Sequence, residues 1–170
     1  MDPNTWNMGN PLVGLQAGGS VFQHTDEEEP RAFWESIPCW AKHFMIDNDI
    51  RLYGVDTVRI ARACCRSDNS LIQRFQGIVL LGVFLRITPF RGEAEIEDQE
   101  LFERLETPLR YYFGKRGEKV IQDNLEAVRK GYAEVVEVSR ALMEATPADE
   151  LQTGKEEWEA KGKDTNAFFI

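Results

Sequence analysis

The 170-residue chain has few of the residues that build metal and cofactor sites, with three cysteines and two histidines. Cys39, Cys64 and Cys65 have neither the CxxC spacing of a redox or metal motif nor the four-cysteine run of a ferredoxin. His24 and His43 lie 19 residues apart and have no acidic residues at ligand spacing. The sequence therefore predicts buried thiols, no disulfide framework, and no metal ion or iron–sulfur cluster held by this chain.

Basic residues are in the minority, with 20 Lys and Arg against 29 Asp and Glu, which gives a formal charge of −9. Binding to nucleic-acid phosphates needs a clustered excess of basic residues, so we expect no nucleic-acid partner. The chain lacks the run of about 18 apolar residues that a membrane-spanning helix requires. The first residues, MDPN, do not have the basic-then-apolar order of a signal peptide. We therefore expect a cytoplasmic protein without a membrane span.

Common catalytic motifs are also missing. The sequence contains no GxSxG, no phosphate-binding P-loop, no HExxH, and no paired histidine and cysteine with an orienting acid. The acidic run at 27–29 is more typical of a first helical turn than of a catalytic carboxylate cluster. We predict no catalytic residue in this chain, and its sequence identifies no cofactor-binding residue.

Apolar periodicity and turn residues predict a helix-rich α/β fold with a small sheet. Strands are expected at 20–24 and 50–55. An N-cap at Thr25 or Asp26 is expected to start a first helix, and Asp56 to cap a later one. The predicted helices cover residues 26–37, 38–47, 57–65, 71–87 and 95–113, and the strongest apolar period predicts one long amphipathic helix over 118–145.

The segment 71–87 is apolar almost all round, which predicts a buried central helix. Gly77 and Gly82 lie inside it, where each costs about 1 kcal/mol relative to alanine. We expect both glycines to mark places where a neighbouring element approaches the helix backbone closely.

The chain has no internal repeat and no low-complexity tract, so one domain over 1–145 followed by a polar tail over 146–170 is the simplest organisation. The tail keeps Trp158 and ends in FFI. Such a segment either docks on a partner or is a frayed end, and the sequence leaves both interpretations open.

The segment 51–86 is a basic island, because it holds six arginines and only two aspartates. Arg59, Arg62 and Arg66 follow one another at helical spacings of three and four, so they share one face. The planar guanidinium group suits carboxylates and phosphates, which makes this face a candidate contact for an acidic partner or a phosphorylated ligand. The alternative is that these arginines pair with the chain's own surplus acids.

Two segments carry a resemblance to a known family. They read LIQRFQGIVLLGVFL at 71–85 and YFGKRGEKVIQDNLEAVRKGY at 112–132, and LQAGG at 15–19 precedes the first strand. The chain resembles, over roughly 11–140, the gamma subunit or domain of the thiamine-diphosphate-dependent 2-oxoacid:ferredoxin oxidoreductases. That domain normally opens with a GxGGxG strand–turn–helix, so the resemblance implies a partial or shortened gamma domain.

The resemblance implies a non-catalytic subunit of an enzyme that interconverts a 2-oxoacid and coenzyme A with acyl-coenzyme A and CO2, with ferredoxin as the electron acceptor. Thiamine diphosphate, magnesium and iron–sulfur clusters are then expected in the alpha, beta and ferredoxin-like partner subunits. Arg59, Arg62 and Arg66 become the candidate contact for a partner or for the phosphates of coenzyme A. The alternative function is a free-standing interaction module that docks through the apolar stripe of the 118–145 helix.

Overall fold

The computed structural model describes residues 4–65, 71–88 and 96–161. Its elements, in chain order, are α1 (Thr5–Met8), β1 (Ser20–His24), α2 (Pro30–Glu35), α3 (Cys39–Asp47), β2 (Arg51–Val55), α4 (Thr57–Cys64), α5 (Ile72–Ile87), α6 (Asp98–Phe113), a 3₁₀ turn (Gly114–Arg116), α7 (Glu118–Ala133), β3 (Val136–Val138), α8 (Arg140–Glu144) and α9 (Ala148–Lys161). The structure confirms the predicted helix-rich α/β class. No helix within the described ranges is both long and apolar enough to cross a membrane.

The described residues belong to two compact units. The first unit contains the chain up to Val55 and again from Val136, and the second contains Asp56–Val135. The predicted division after residue 145 stays a prediction, although α9 is a helix of the first unit. Residues 162–170, with the FFI sequence, lie outside the described residues.

A three-stranded mixed sheet lies in the first unit, in the order β1-β2-β3. β1 runs parallel to β2, with Val21 opposite Leu52, and β3 is antiparallel to β2, with Val136 opposite Gly54. The strands predicted at 20–24 and 50–55 are confirmed. β2 is the central strand, and Leu52 through Val55 are buried because neighbouring strands and helices cover them.

The predicted 118–145 helix is wrong beyond Ala133. The chain leaves α7 at Glu134, forms β3, and starts α8 after Ser139, whose side chain accepts a hydrogen bond from the Leu142 amide. The apolar spacing does continue through this region. However, a run of β-branched valines favours a strand, and pairing with β2 decides the outcome.

The apolar stripe of α7 forms the core of the second unit. Ile121, Leu125 and Val128 are buried against neighbouring side chains. An interaction module that docks through this stripe is therefore contradicted, since the side chains it would use are already packed.

The first helix of the sheet crossover begins later than predicted. α2 starts at Pro30, and Glu29 occupies its N-cap without a side-chain hydrogen bond. Thr25 caps a turn instead, because its hydroxyl accepts a hydrogen bond from the Glu27 amide at 3.1 Å. The acidic residues therefore lie before the helix. α3 ends at Asp47 as expected.

Large aromatic rings build the core of the first unit. Trp40 packs edge-on against Trp6, with ring centroids 5.5 Å apart, and stacks on Trp158 at 6.0 Å. The Trp158 ring also lies 4.3 Å from that of Phe44. Trp158 stands on α9, so the tail residue that the sequence left unassigned is part of this core.

The second unit is built on a close crossing of α5 and α7. A Cβ atom at Gly82 would lie 2.0 Å from the Val128 carbonyl oxygen, and one at Gly131 would lie 2.2 Å from that of Val79. The prediction for Gly82 is confirmed. The prediction for Gly77 is wrong, because a Cβ atom there would meet nothing within 4 Å.

The predicted all-round burial of α5 is also wrong. Leu80 and Phe84 are 42% and 55% exposed, on the same side of the helix as Gly77. Helix α5 therefore has one packed face and one open apolar face.

Candidate functional site

The candidate arginine face stands on α4, whose start is specified locally. The Asp56 carboxylate accepts a hydrogen bond from the Arg59 amide at 2.8 Å, as the sequence predicts for an N-cap. Ala61 and Cys65 are buried as expected, together with Ile60, whereas Val58 is only half-buried. Because this face of α4 is packed, the side chains of Arg59 and Arg62 lie on the opposite, exposed side of the helix.

The structure places Arg59 and Arg62 at exposed positions of α4, and Arg66 lies outside the described residues. The Arg59 guanidinium forms an ion pair with Glu134 at 2.9 Å, just beyond the end of α7. One of the three candidate arginines therefore pairs with an acid of the same unit. Both partners are partly exposed, so the pair is accessible to a competing anion.

Two further arginines of the basic island lie in different surroundings. Arg74 and Arg86 stand 12 residues apart on α5, which corresponds to about 18 Å along a helix axis. Arg74 lines a cavity, whereas the Arg86 guanidinium lies 5.7 Å from the centroid of the Tyr132 ring. One guanidinium therefore borders a cavity and the other an aromatic ring, at separate places along α5.

The first unit contains a buried ion pair that the sequence did not predict. Lys42 on α3 has a side chain only 5% exposed, and its ammonium group donates to Glu150 on α9 at 2.6 Å. The same ammonium lies 5.6 Å from the centroid of the Trp34 ring. Both charged residues line a cavity of about 360 Å³. The two residues are 108 positions apart in sequence, so no local pattern could have paired them.

Cys39 borders this ion pair, with its sulfur 3.8 Å from the Glu150 carboxylate. Burial, and then the charge of Glu150, raise the pKa of the Cys39 thiol above its ordinary value of 9.0. The thiol therefore keeps its proton at neutral pH, and the group is not a thiolate nucleophile. Cys64 and Cys65 are buried, as predicted, whereas Cys39 is half-buried.

In the described ranges no three or more His, Cys, Asp or Glu side chains come together as a metal site would require. The geometry thus offers an exposed arginine face, a buried ion pair and helix crossings. A sequence model of the pyruvate ferredoxin/flavodoxin oxidoreductase family matches residues 1–134. The chain belongs to this family. The comparison with curated proteins found no match.

Membership connects the chain with an oxidoreductase system of pyruvate or a related 2-oxoacid and ferredoxin. The match covers the second unit up to Glu134, one residue before its end, and stops before β3. The third strand and the two helices after it therefore lie outside the part matched by the oxidoreductase family.

In the second unit, the residues that carry the family resemblance form a turn and hold helices together. Gly117, in the turn before α7, has a φ of 98°, a left-handed conformation that favours glycine. Arg110 pairs with Glu118 across that turn at 2.5 Å. The Tyr132 hydroxyl donates to Asp98 at 2.8 Å. In this oxidoreductase family member, the YFGKRGE and NLEAVRKGY segments specify a turn and a helix crossing.

Proposed function

We propose that the chain is a non-catalytic, gamma-type subunit of a multi-subunit 2-oxoacid:ferredoxin oxidoreductase in the cytoplasm. In the proposed reaction the bond between the carbonyl carbon and the carboxylate of the 2-oxoacid breaks, and CO2 leaves. The acyl carbon forms a bond to the sulfur of coenzyme A, and the thiol proton is released. The two electrons removed from the acyl carbon reduce two ferredoxin centres, so the step balances.

The family match over 1–134 carries this proposal. The packing roles of the matched residues support a structural subunit, since Gly82, Gly131 and Tyr132 hold helices together. We assign thiamine diphosphate, magnesium and the iron–sulfur clusters to the alpha, beta and ferredoxin-like partner subunits. The residues of this chain then serve assembly and the shape of the approach to the active site.

Arg59, Arg62 and Arg66 are proposed as a contact for a partner subunit or for the phosphates of coenzyme A. The exposure of Arg59 and Arg62 on one side of α4 supports this proposal. Arg59 would exchange Glu134 for the incoming anion, and an Arg–phosphate pair can be bidentate.

Anaerobic purification of the tagged chain from its native host tests the subunit assignment. We expect it to bring thiamine-diphosphate and iron–sulfur subunits with it, in brown material that reduces a dye with pyruvate or 2-oxoglutarate in the presence of coenzyme A. A colourless chain that elutes alone would contradict the assignment.

Replacement of Arg59, Arg62 and Arg66 by alanine tests the arginine face. We expect weaker assembly or a raised apparent KM for coenzyme A, because each lost guanidinium removes a charge-assisted hydrogen bond. The matched control replaces Arg104, Lys119 and Lys155, three exposed cations elsewhere, by alanine. Equal behaviour of the two triple variants would remove the face from the proposal.

A further inference from the structure

An apolar groove of the second unit is lined by α5 on one side and by α6, the 3₁₀ turn and the start of α7 on the other. It consists of two cavities of about 170 and 400 Å³. Both cavities are lined by Ile78 and Phe113, so they adjoin one another. The larger cavity is lined almost entirely by carbon, and its further lining includes Leu81, Leu105, Pro108 and Tyr112.

The smaller cavity has a positive edge. Arg74 of α5 and Arg116 of the 3₁₀ turn both line it, and no aspartate or glutamate lines either cavity. The groove therefore combines an apolar floor with two guanidinium groups at one end. Such a combination is complementary to an apolar group that carries a carboxylate.

The apolar surface extends beyond the cavities. Tyr112 is 75% exposed, and the neighbouring Tyr111 is 83% exposed with its ring 5.3 Å from that of Tyr112. Exposed tyrosines beside a groove are typical of protein interfaces, because each ring supplies a large contact area with few rotatable bonds. An open groove with such a rim fits a peptide segment better than an enclosed small molecule.

We propose that this groove docks an apolar segment of another subunit and that an Asp or Glu of that segment contacts Arg74 and Arg116. The identity of the assembly rests on the proposed function, whereas the chemistry of the segment rests on the groove itself. A second copy of this chain is a poor occupant. Two copies each carry a charge of −9, and a symmetric pairing of the grooves would offer no carboxylate to the arginines, because no aspartate or glutamate lines either cavity.

The test places a photo-crosslinking phenylalanine analogue at Tyr112 of the full-length chain, expressed in its native host. The assembly is irradiated, purified, and analysed by mass spectrometry of the crosslinked peptides. We expect one dominant adduct, with an apolar segment of another subunit that has an acidic residue within about one helical turn.

Charge reversal decides whether the arginine end takes part. The double variant Arg74→Glu and Arg116→Glu should reduce the adduct at least tenfold. The matched double variant Arg31→Glu and Lys155→Glu, at exposed positions of α2 and α9, should leave it unchanged. Circular dichroism checks that each variant is folded. If the charge-reversed double variant does not fold, the double variant Arg74→Ala and Arg116→Ala gives the same comparison.

An adduct with a second copy of the chain, an adduct insensitive to charge reversal, or no adduct would each overturn the docking proposal. The outcome is distinguishable from a failure of the proposed function. An active oxidoreductase assembly without a Tyr112 adduct refutes only the groove. A charge-sensitive adduct with a protein from an assembly that lacks oxidoreductase activity supports the groove and refutes the subunit assignment.

Discussion

The two units bury their apolar surface in different ways. All four tryptophans of the chain belong to the core of the first unit, where their rings fill the space between helices and sheet. The second unit has no tryptophan, and its helices α5 and α7 approach so closely that Gly82 and Gly131 face carbonyl oxygens. Large side chains therefore fill the core of the first unit, whereas close contact between two helix backbones forms the core of the second unit. Removing atoms should damage the first unit most, and adding atoms should damage the second.

The largest expected effect comes from truncating a buried side chain in the first unit. Trp40 is 4% exposed and contacts the rings of Trp6 and Trp158. The change Trp40→Ala should lower the free energy of unfolding by about 3–5 kcal/mol, through lost burial and the cavity left behind. Denaturant unfolding measures this loss. The control Tyr111→Ala, at an 83% exposed ring, should change stability by no more than about 0.5 kcal/mol. Similar losses in the two variants would contradict the ring-built core.

An added methyl group should have the next largest effect, in the second unit. Gly82→Ala would place a Cβ atom 2.0 Å from the Val128 oxygen, so the helices must separate at a cost of about 1–3 kcal/mol. Gly77→Ala on the same helix meets nothing and should stabilise the protein by up to about 1 kcal/mol. Thermal unfolding and hydrogen exchange of α5 and α7 measure both effects. Equal and small shifts would refute the close crossing.

The buried ion pair of the first unit should contribute less. Glu150→Gln leaves the Lys42 ammonium without its counterion. Loss of one partner of a fully buried pair costs about 3–5 kcal/mol, and the 28% exposure of Glu150 should reduce this to about 1–2 kcal/mol through solvent screening. The matched change Glu159→Gln, at an exposed position of the same helix, should be close to neutral. If both variants unfold alike, the pair does not stabilise the unit.

The smallest effect concerns acid stability of the second unit. Hydrogen bonds from Arg110 and then Gln122 lower the pKa of the Glu118 carboxyl from 4.5 to about 2. The unfolded chain therefore binds a proton at Glu118 before the folded chain does, so this contribution is present above pH 4.5 and is lost as the pH falls towards 2. The difference in stability between the wild type and Glu118→Gln should shrink over that range. A difference in stability that stays constant as the pH falls would refute the contribution of the Glu118 carboxylate to stability.

Local signals in the sequence predicted much of the fold. The strands at 20–24 and 50–55 and the Asp56 cap were predicted because turn formers and caps act within a few residues. The 118–145 helix failed for the opposite reason. Val136 pairs with Gly54, which is far away in the chain, and a helical apolar period cannot register such a partner.

The candidate site was predictable only in part. Helical spacing placed Arg59 and Arg62 on one exposed side of α4, but the ion pair between Arg59 and Glu134 spans 75 positions in sequence. The Lys42 and Glu150 pair was missed altogether, because α9 lies in a segment that reads as a polar tail. The surplus of acidic residues in the sequence shows that basic residues have acids to pair with. Only the folded structure shows which basic and acidic residues lie close enough to form an ion pair.

The sequence by itself determined the family, the helix-rich α/β class and the bounds of β1, β2, α3, α4 and α5 to within a residue or so, since these depend on contacts between near neighbours in the chain. The tertiary structure decided which surroundings two similar local sequence patterns acquire in the folded chain. Gly77 and Gly82 occupy the same helix with the same intrinsic cost, yet only Gly82 faces another backbone. Burial is a property of where distant segments meet, and that is why the packed face of α5, its open face and the groove beside it became visible only in the folded chain.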